Sequence, residues 1–190
     1  TTYAASATPP TAAGSYTVTA SVAADAAFNA ASSSATAFTI DKKAASVTAN
    51  AAGKAFGAVD PALTGTLSGF IAGDNVTASY SRTAGETVGG SPYTISATLS
   101  PAGALVNYTV TSNTASFTIG SATPTITVTP GTYTYAGSGQ GPVAGDVNRG
   151  GSTGAITLSY VGTGGTTYAA SATPPTAAGS YTVTASVAAD

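Results

Sequence analysis

Lys54, Glu86 and Asn107 bring together the most reactive combination in this chain. A lysine amine, a carboxamide and a nearby acid are the components of an intramolecular isopeptide bond. The plainer and preferred reading of Lys54 and Glu86 is a salt bridge or surface positions, and intact mass separates it from the bond. Asp74-Asn75, and Asp146 with Asn148, each follow Ala-Gly; such turns can offer oxygens to Ca²⁺, which takes about 6–8 of them. Acids are too sparse here for a charged cage, and the simpler reading is an Asp side chain capping its own turn. Asn75-Val-Thr77 and Asn107-Tyr-Thr109 match the glycosylation sequon, a match that a Thr-rich chain produces readily by chance.

Catalysis has little else to draw on. The chain has no His to act as a base near neutral pH. Paired carboxylates could serve a glycosidase, but Asp60, Asp74 and Glu86 each fall in turn contexts. The expectation is a protein that is not an enzyme and uses no cofactor.

With 5 Lys+Arg against 7 Asp+Glu in 190 residues, no patch attracts nucleic acid or an anionic membrane by charge. No apolar run reaches the roughly 20 residues of a membrane helix, so membrane insertion is not expected either. The chain lacks Cys, so stability must come from packing and backbone pairing. It also lacks Met, and the native N-terminus is expected to lie outside this stretch.

The elements that would position these residues have a period of two. Tyr16, Val18 and Val22 alternate with Thr17, Thr19 and Ser21, the pattern of a strand with one buried face. The same alternation runs through 76–80, 93–99, 108–110 and 156–160. Turn signals separate the runs: Pro9-Pro10, Ala72 to Asn75, Gly89 to Pro92, Pro101 to Gly103, Ala144 to Asp146 and Gly164-Gly165. The Ala-rich stretch 23–35 lacks a helical stripe and reads as a loop with at most one helical turn. Many short strands so spaced indicate an all-β fold of small β-sandwich, Ig-like modules in tandem, with little or no helix.

Self-similarity sets the domain expectation. Thr1 to Asp25 recurs without a substitution at Thr166 to Asp190, an offset of 165 residues. Inside that period, Gly14 to Val22 resembles Gly90 to Leu99, and each is followed by a strand ending in Phe-Thr-Ile, at 38–40 and at 117–119. The expected division is therefore 1–40 as the C-terminal part of one module, 41–120 as a complete module, and 121–190 as the N-terminal and central part of the next. On this division residues 1–40 pack well only beside a preceding repeat.

Lys54-Ala-Phe-Gly57, Asp60-Pro61-Ala-Leu63, Gly73-Asp74, Arg82, Gly85 to Gly89, Tyr93, Asn107-Tyr108 and Phe117-Thr-Ile119 together resemble the MBG-type tandem repeat domains of bacterial surface proteins and large adhesins. In that family the Lys is typically followed by Tyr-Gly, so Phe56 is a conservative departure. Tyr133 to Gly137 and Pro174 to Ala185 give the second module a related look. The resemblance implies an extracellular or cell-surface repeat protein of small β-rich modules, described as β-grasp-related or Ig-like. The function expected is a structural unit of a stalk, fibre or adhesin array. Its partners would be identical neighbouring repeats, with homotypic fibre or sheet assembly through exposed strand edges. The alternative is an adhesin module whose tyrosines stack on glycans or mucin.

Overall fold

The computed structural model describes residues 3–190 and divides into two compact units, the first ending at Ser121 and the second spanning Ala122–Asp190. Both are built of strands, and among the described residues the one α-helix, α1, has four residues, Ala102–Leu105. The fold is all-β. In the first unit the strands are β1 (Gly14–Val18), β2 (Ser21–Val22), β3 (Ala31–Ser32), β4 (Thr36–Ile40), β5 (Lys43–Ala49), β6 (Ala52–Ala55), β7 (Gly65–Ser68), β8 (Thr77–Arg82), β9 (Tyr93–Ser100), β10 (Tyr108–Asn113) and β11 (Ala115–Gly120). The second unit holds β12 (Thr127–Val128), β13 (Val147–Asn148), β14 (Ile156–Thr163) and β15 (Ser180–Val187). Alternating Thr/Ser with larger residues produces these strands because one face of each is covered and the other is wet.

Residues 43–120 form two sheets, ordered β10-β5-β7 and β6-β11-β9-β8. Two long stretches pass from the first sheet into the second, 43–55 and 108–120, and they run parallel throughout. Lys43 is opposite Tyr108 and Ala52 opposite Phe117, so one register persists across the bend at Asn50 and Thr114. The remaining pairings are antiparallel: β5 with β7, β9 with β11, and β8 with β9. The core lies between the sheets, where Ala49 meets Ile95, Phe117 and Ile119, with Leu63, Tyr80 and Tyr93 packed around them. Phe117 and Ile95 are fully buried.

Residues 3–40 add a separate ladder, β1 antiparallel to β4 and β2 to β3. The Ala-rich stretch contains the short β3 and no helix; Asp25 Oδ1 accepts from Ala27 N–H at 2.8 Å and Phe28 N–H at 2.9 Å, closing an Asx turn instead. This ladder is thinly covered: Val18, Val22 and Phe28 are 55%, 70% and 76% exposed. In the second unit β14 and β15 form a long hairpin, and Tyr160 is buried beneath it with its hydroxyl donating to Pro142 O at 2.6 Å.

Candidate functional site

Four charged residues of the first unit, Lys54, Asp60, Arg82 and Glu86, converge on one rim of its four-stranded sheet. Lys54 lies on β6, opposite Ile119, and Arg82 on β8, opposite Ile95. Those strands are the two edges of the sheet. Residues directly opposite share a face, so both cations project onto the core face, beside Phe117 and Tyr93. The Arg82 guanidinium carbon stands 4.7 Å from the Phe117 ring centroid and 5.4 Å from that of Tyr93, within cation–π range. Their side chains are 7% and 9% exposed, and two carboxylates cover them.

Asp60 bridges the cations. Its Oδ1 lies 2.7 Å from Lys54 Nζ, and it takes Arg82 as a fork, Nε to Oδ2 at 2.6 Å and Nη2 to Oδ1 at 3.1 Å. Glu86 completes the ring, with Oε2 at 2.5 Å from Lys54 Nζ and Oε1 accepting from Arg82 Nη2. Arg82 Nη1 donates to Gly85 O at 2.6 Å and Thr83 O at 3.1 Å. All five guanidinium N–H groups are thus used, which is how a charge can sit against a phenyl ring with little water. Gly85 fits here because its φ of +146° and its closeness to the Tyr93 ring leave no room for a Cβ.

The electrostatics follow from this geometry. Hydrogen bonds from Arg82, then Lys54, hold the Asp60 carboxyl down at about 2, and those from Lys54 and Arg82 lower Glu86. The same contacts raise Lys54, chiefly through Asp60. Every group is pushed further from neutrality. The arrangement suits a clamp that closes the rim of the core, and it supplies no proton donor or acceptor poised near neutral pH.

The sequence singled out Lys54 and Glu86, which the structure brings into contact. Asn107 is elsewhere: its Oδ1 accepts from Ala13 N–H at 2.9 Å, tying residues 3–40 to the end of α1. Asp74 accepts from the Tyr108 hydroxyl, while Asn75 adopts a left-handed φ of 50° and donates through Nδ2 to Gly73 O at 3.1 Å. Asp146 Oδ2 accepts from Val143 N–H at 2.8 Å, and Asn148 Oδ1 from Gly150 N–H at 2.9 Å. Among the described residues no three His, Cys, Asp or Glu side chains gather as a metal cluster would require. The partnership of Asp60 and Arg82 escaped the sequence. Its only signal was their presence among the residues that carry the family resemblance, since the pairing depends on strand order.

The comparison with known families bears on the first unit. Residues 45–118 match the MBG domain, YGX type. The matched stretch runs from β5 into β11 and contains the whole clamp. It supports a surface-repeat type of module for that part of the chain. No curated protein and no solved structure matches the chain. Among the described residues no helix is long and apolar enough to cross a membrane.

The second site is a cleft of about 450 Å³ in the second unit. It is lined by residues 130–135, 140–142 and 175–183 and by Tyr160. Tyr133 and Tyr135 are 44% and 69% exposed there. Tyrosines as a sugar-stacking surface are legible in the sequence, but this cleft is not, because residues 130–135 and 177–183 lie more than forty residues apart in the chain.

Proposed function

We propose that the chain is a structural repeat of an extracellular bacterial stalk, fibre or adhesin array, in which small β modules hold distance and homotypic contacts join neighbours. The observation that carries this reading is the behaviour of the duplicated segment. Its two copies build the same motif in different units. Tyr3 and Tyr16 meet edge to face at 5.8 Å and 89°, and Tyr168 and Tyr181 at 5.7 Å and 88°. Tyr16 donates to Ala12 O and Tyr181 to Ala177 O, both at 2.8 Å. A sequence that is repeated without change and builds the same tyrosine pair each time suits a length-setting polymer, whose extent scales with copy number.

The test is a series of chains holding one, two and four 165-residue periods, imaged as single particles. With modules one strand long, the contour should grow by about 60–90 Å per period. Length that does not rise in constant steps would falsify the stalk. The alternative reading, a glycan- or mucin-binding module, is favoured only by the exposed tyrosines of the cleft. Saturable binding on a glycan array, lost on Tyr135→Ala, would support it.

A further inference from the structure

We propose that the tyrosine-lined cleft of the second unit is a docking slot for a second copy of this chain, which inserts its Phe38-Thr39-Ile40 strand along the free edge of β15. The inference deepens the array reading above and rests on it for its biological setting. Its structural argument stands on three observations.

The first is an internal template. In the sheet β6-β11-β9-β8, the strand carrying Phe117-Thr-Ile119 lies between β6 and β9, with Phe117 opposite Tyr93 of Tyr93-Thr-Ile95. In the ladder of residues 14–40 Phe38 likewise falls opposite Tyr16, with Thr36-Ala-Phe38 facing Tyr16-Thr-Val18 as Ala115-Ser-Phe117 faces Tyr93-Thr-Ile95. A strand ending in Phe-Thr-Ile thus meets a Tyr-Thr-aliphatic strand twice, Phe opposite Tyr, in the same antiparallel register. β15 carries the identical copy of Tyr16-Thr-Val18, Tyr181-Thr-Val183, paired only with β14 among the described strands, whereas Tyr108-Thr-Val110 of β10 pairs parallel with β5.

The second observation is that the required edge is the open one. Ala20 donates to Ser33 Oγ at 3.0 Å and its carbonyl accepts from Ser33 N–H at 2.8 Å. Ala20 lies between β1 and β2, where the register shifts from Val18 opposite Thr36 to Ser21 opposite Ser32; the extra residue is on the partner side, so the parity of residues 16–20 is kept and Tyr16 and Val18 also aim their backbone polar groups toward β4. In the second unit Tyr160 exchanges both backbone bonds with Ser171, at 2.8 and 3.1 Å, so the alternate residues Val161 and Thr163 face β15. Their partners there are Thr182 and Ser180. Tyr181, Val183 and Ala185, counterparts of Tyr16, Val18 and Ala20, consequently point to the opposite edge. One copy of the strand uses one edge and the other copy uses the other. A single such strand can hold both neighbours at once, as β9 does between β8 and β11.

The third observation is the space. The cleft is lined by residues 130–135 and by the Tyr181 end of β15, so a strand laid in it has neighbours to either side, as β11 has β6 and β9 in the complete sheet. Phe117 is wholly buried in its slot, whereas Phe38 remains 39% exposed on the thin ladder, stacked on Tyr16 at 5.5 Å. Moving the Phe38 strand into the cleft exchanges one identical partner strand for another and adds a second wall. The donor is held to β1 by the same pairs it would make with β15, so the exchange costs little and gains burial.

The register is fixed by the identity of the copies: Phe38 falls opposite Tyr181, and Ala37 opposite Thr182. The latter is a non-hydrogen-bonded position with Cα atoms about 4.5 Å apart, within disulfide reach. The chain has no cysteine of its own. Full-length Ala37→Cys and Thr182→Cys chains are mixed, refolded together from denaturant and oxidised, so that slow strand release cannot mask exchange. The 37–182 bond should form at least about tenfold more than the bond from Ala37→Cys to an off-register Ser186→Cys chain, whose geometry is out of range. The unsubstituted chain should gain mass with concentration in sedimentation. Equal yields for 182 and 186, or a chain that stays monomeric at millimolar concentration, overturns the proposal, as does saturation of the cleft by an oligosaccharide in a monomeric chain. If tandem chains still lengthen in constant steps while the 37–182 bond is absent, the docking falls and the stalk reading survives.

Discussion

Arg82 shows how a chain with so few charges uses them. Its guanidinium lies against Phe117 and is enclosed by Asp60, Glu86 and two carbonyls, so removing it exposes the fully buried ring as well as stranding a carboxylate pair. Asp60 carries the pH consequence. Its folded value is depressed from 3.8 to about 2, so its contribution to stability is complete above its unfolded value and is lost as pH falls between the two. The thermal midpoint of the first unit should be flat from neutral pH to about 5 and fall through pH 4 to 2. In an Asp60→Asn variant the midpoint should start lower and fall less over that window. Circular dichroism melts at four pH values decide it. Lys54 and Glu86 were legible as a pair from the sequence because an amine and an acid stand out in a stretch so poor in charge. The bridging of Asp60 to Arg82 was not, since nothing local records that β6 and β8 edge the same sheet.

At the level of elements, the alternation of Thr and Ser with larger residues announced β8, β9, β10 and β14 within two or three residues of their bounds, while the run 16–22 is divided between β1 and β2. The parallel pairing of 43–55 with 108–120 left no such trace, because parallel partners are joined by a long connection and their register is set by packing. Gly53 is where that pairing is tightest. A Cβ there would meet Thr118 Oγ1 at 2.4 Å and Thr118 O at 2.8 Å. Gly53→Ala should therefore force β6 from β11 and cost roughly 1–3 kcal/mol, as overpacking does. Gly120→Ala, whose Cβ meets nothing within 4 Å, should cost under about 1 kcal/mol. Denaturant midpoints of the two variants, with m-values checked for constancy, measure the difference.

For the molecule as a whole, the decisive fact is that burial is concentrated in two separate places. Ala49, Ile95, Phe117 and Ile119 form the core of the first unit, and Tyr160 anchors the second. Phe117→Ala should destabilise the first unit by about 3–5 kcal/mol. Amide protection of β14 and β15 should remain within twofold of the unsubstituted chain, which hydrogen exchange reads directly. The all-β class was legible from period and turn signals, and the duplication from inspection. The use of opposite strand edges by the two copies was not, because identical sequences carry no information about which edge is taken. That depends on the neighbours each copy meets.

One consequence follows from where the donor strand and the acceptor cleft reside. The Phe38 strand belongs to one unit and the cleft to the other, so chains joined through them have a direction. An assembly of this kind has two chemically different ends, one displaying an empty cleft and the other an unplaced strand, and each addition regenerates both. Growth is then polar. A peptide of residues 26–40 would cap the cleft-bearing end alone and shorten filaments without dissolving them.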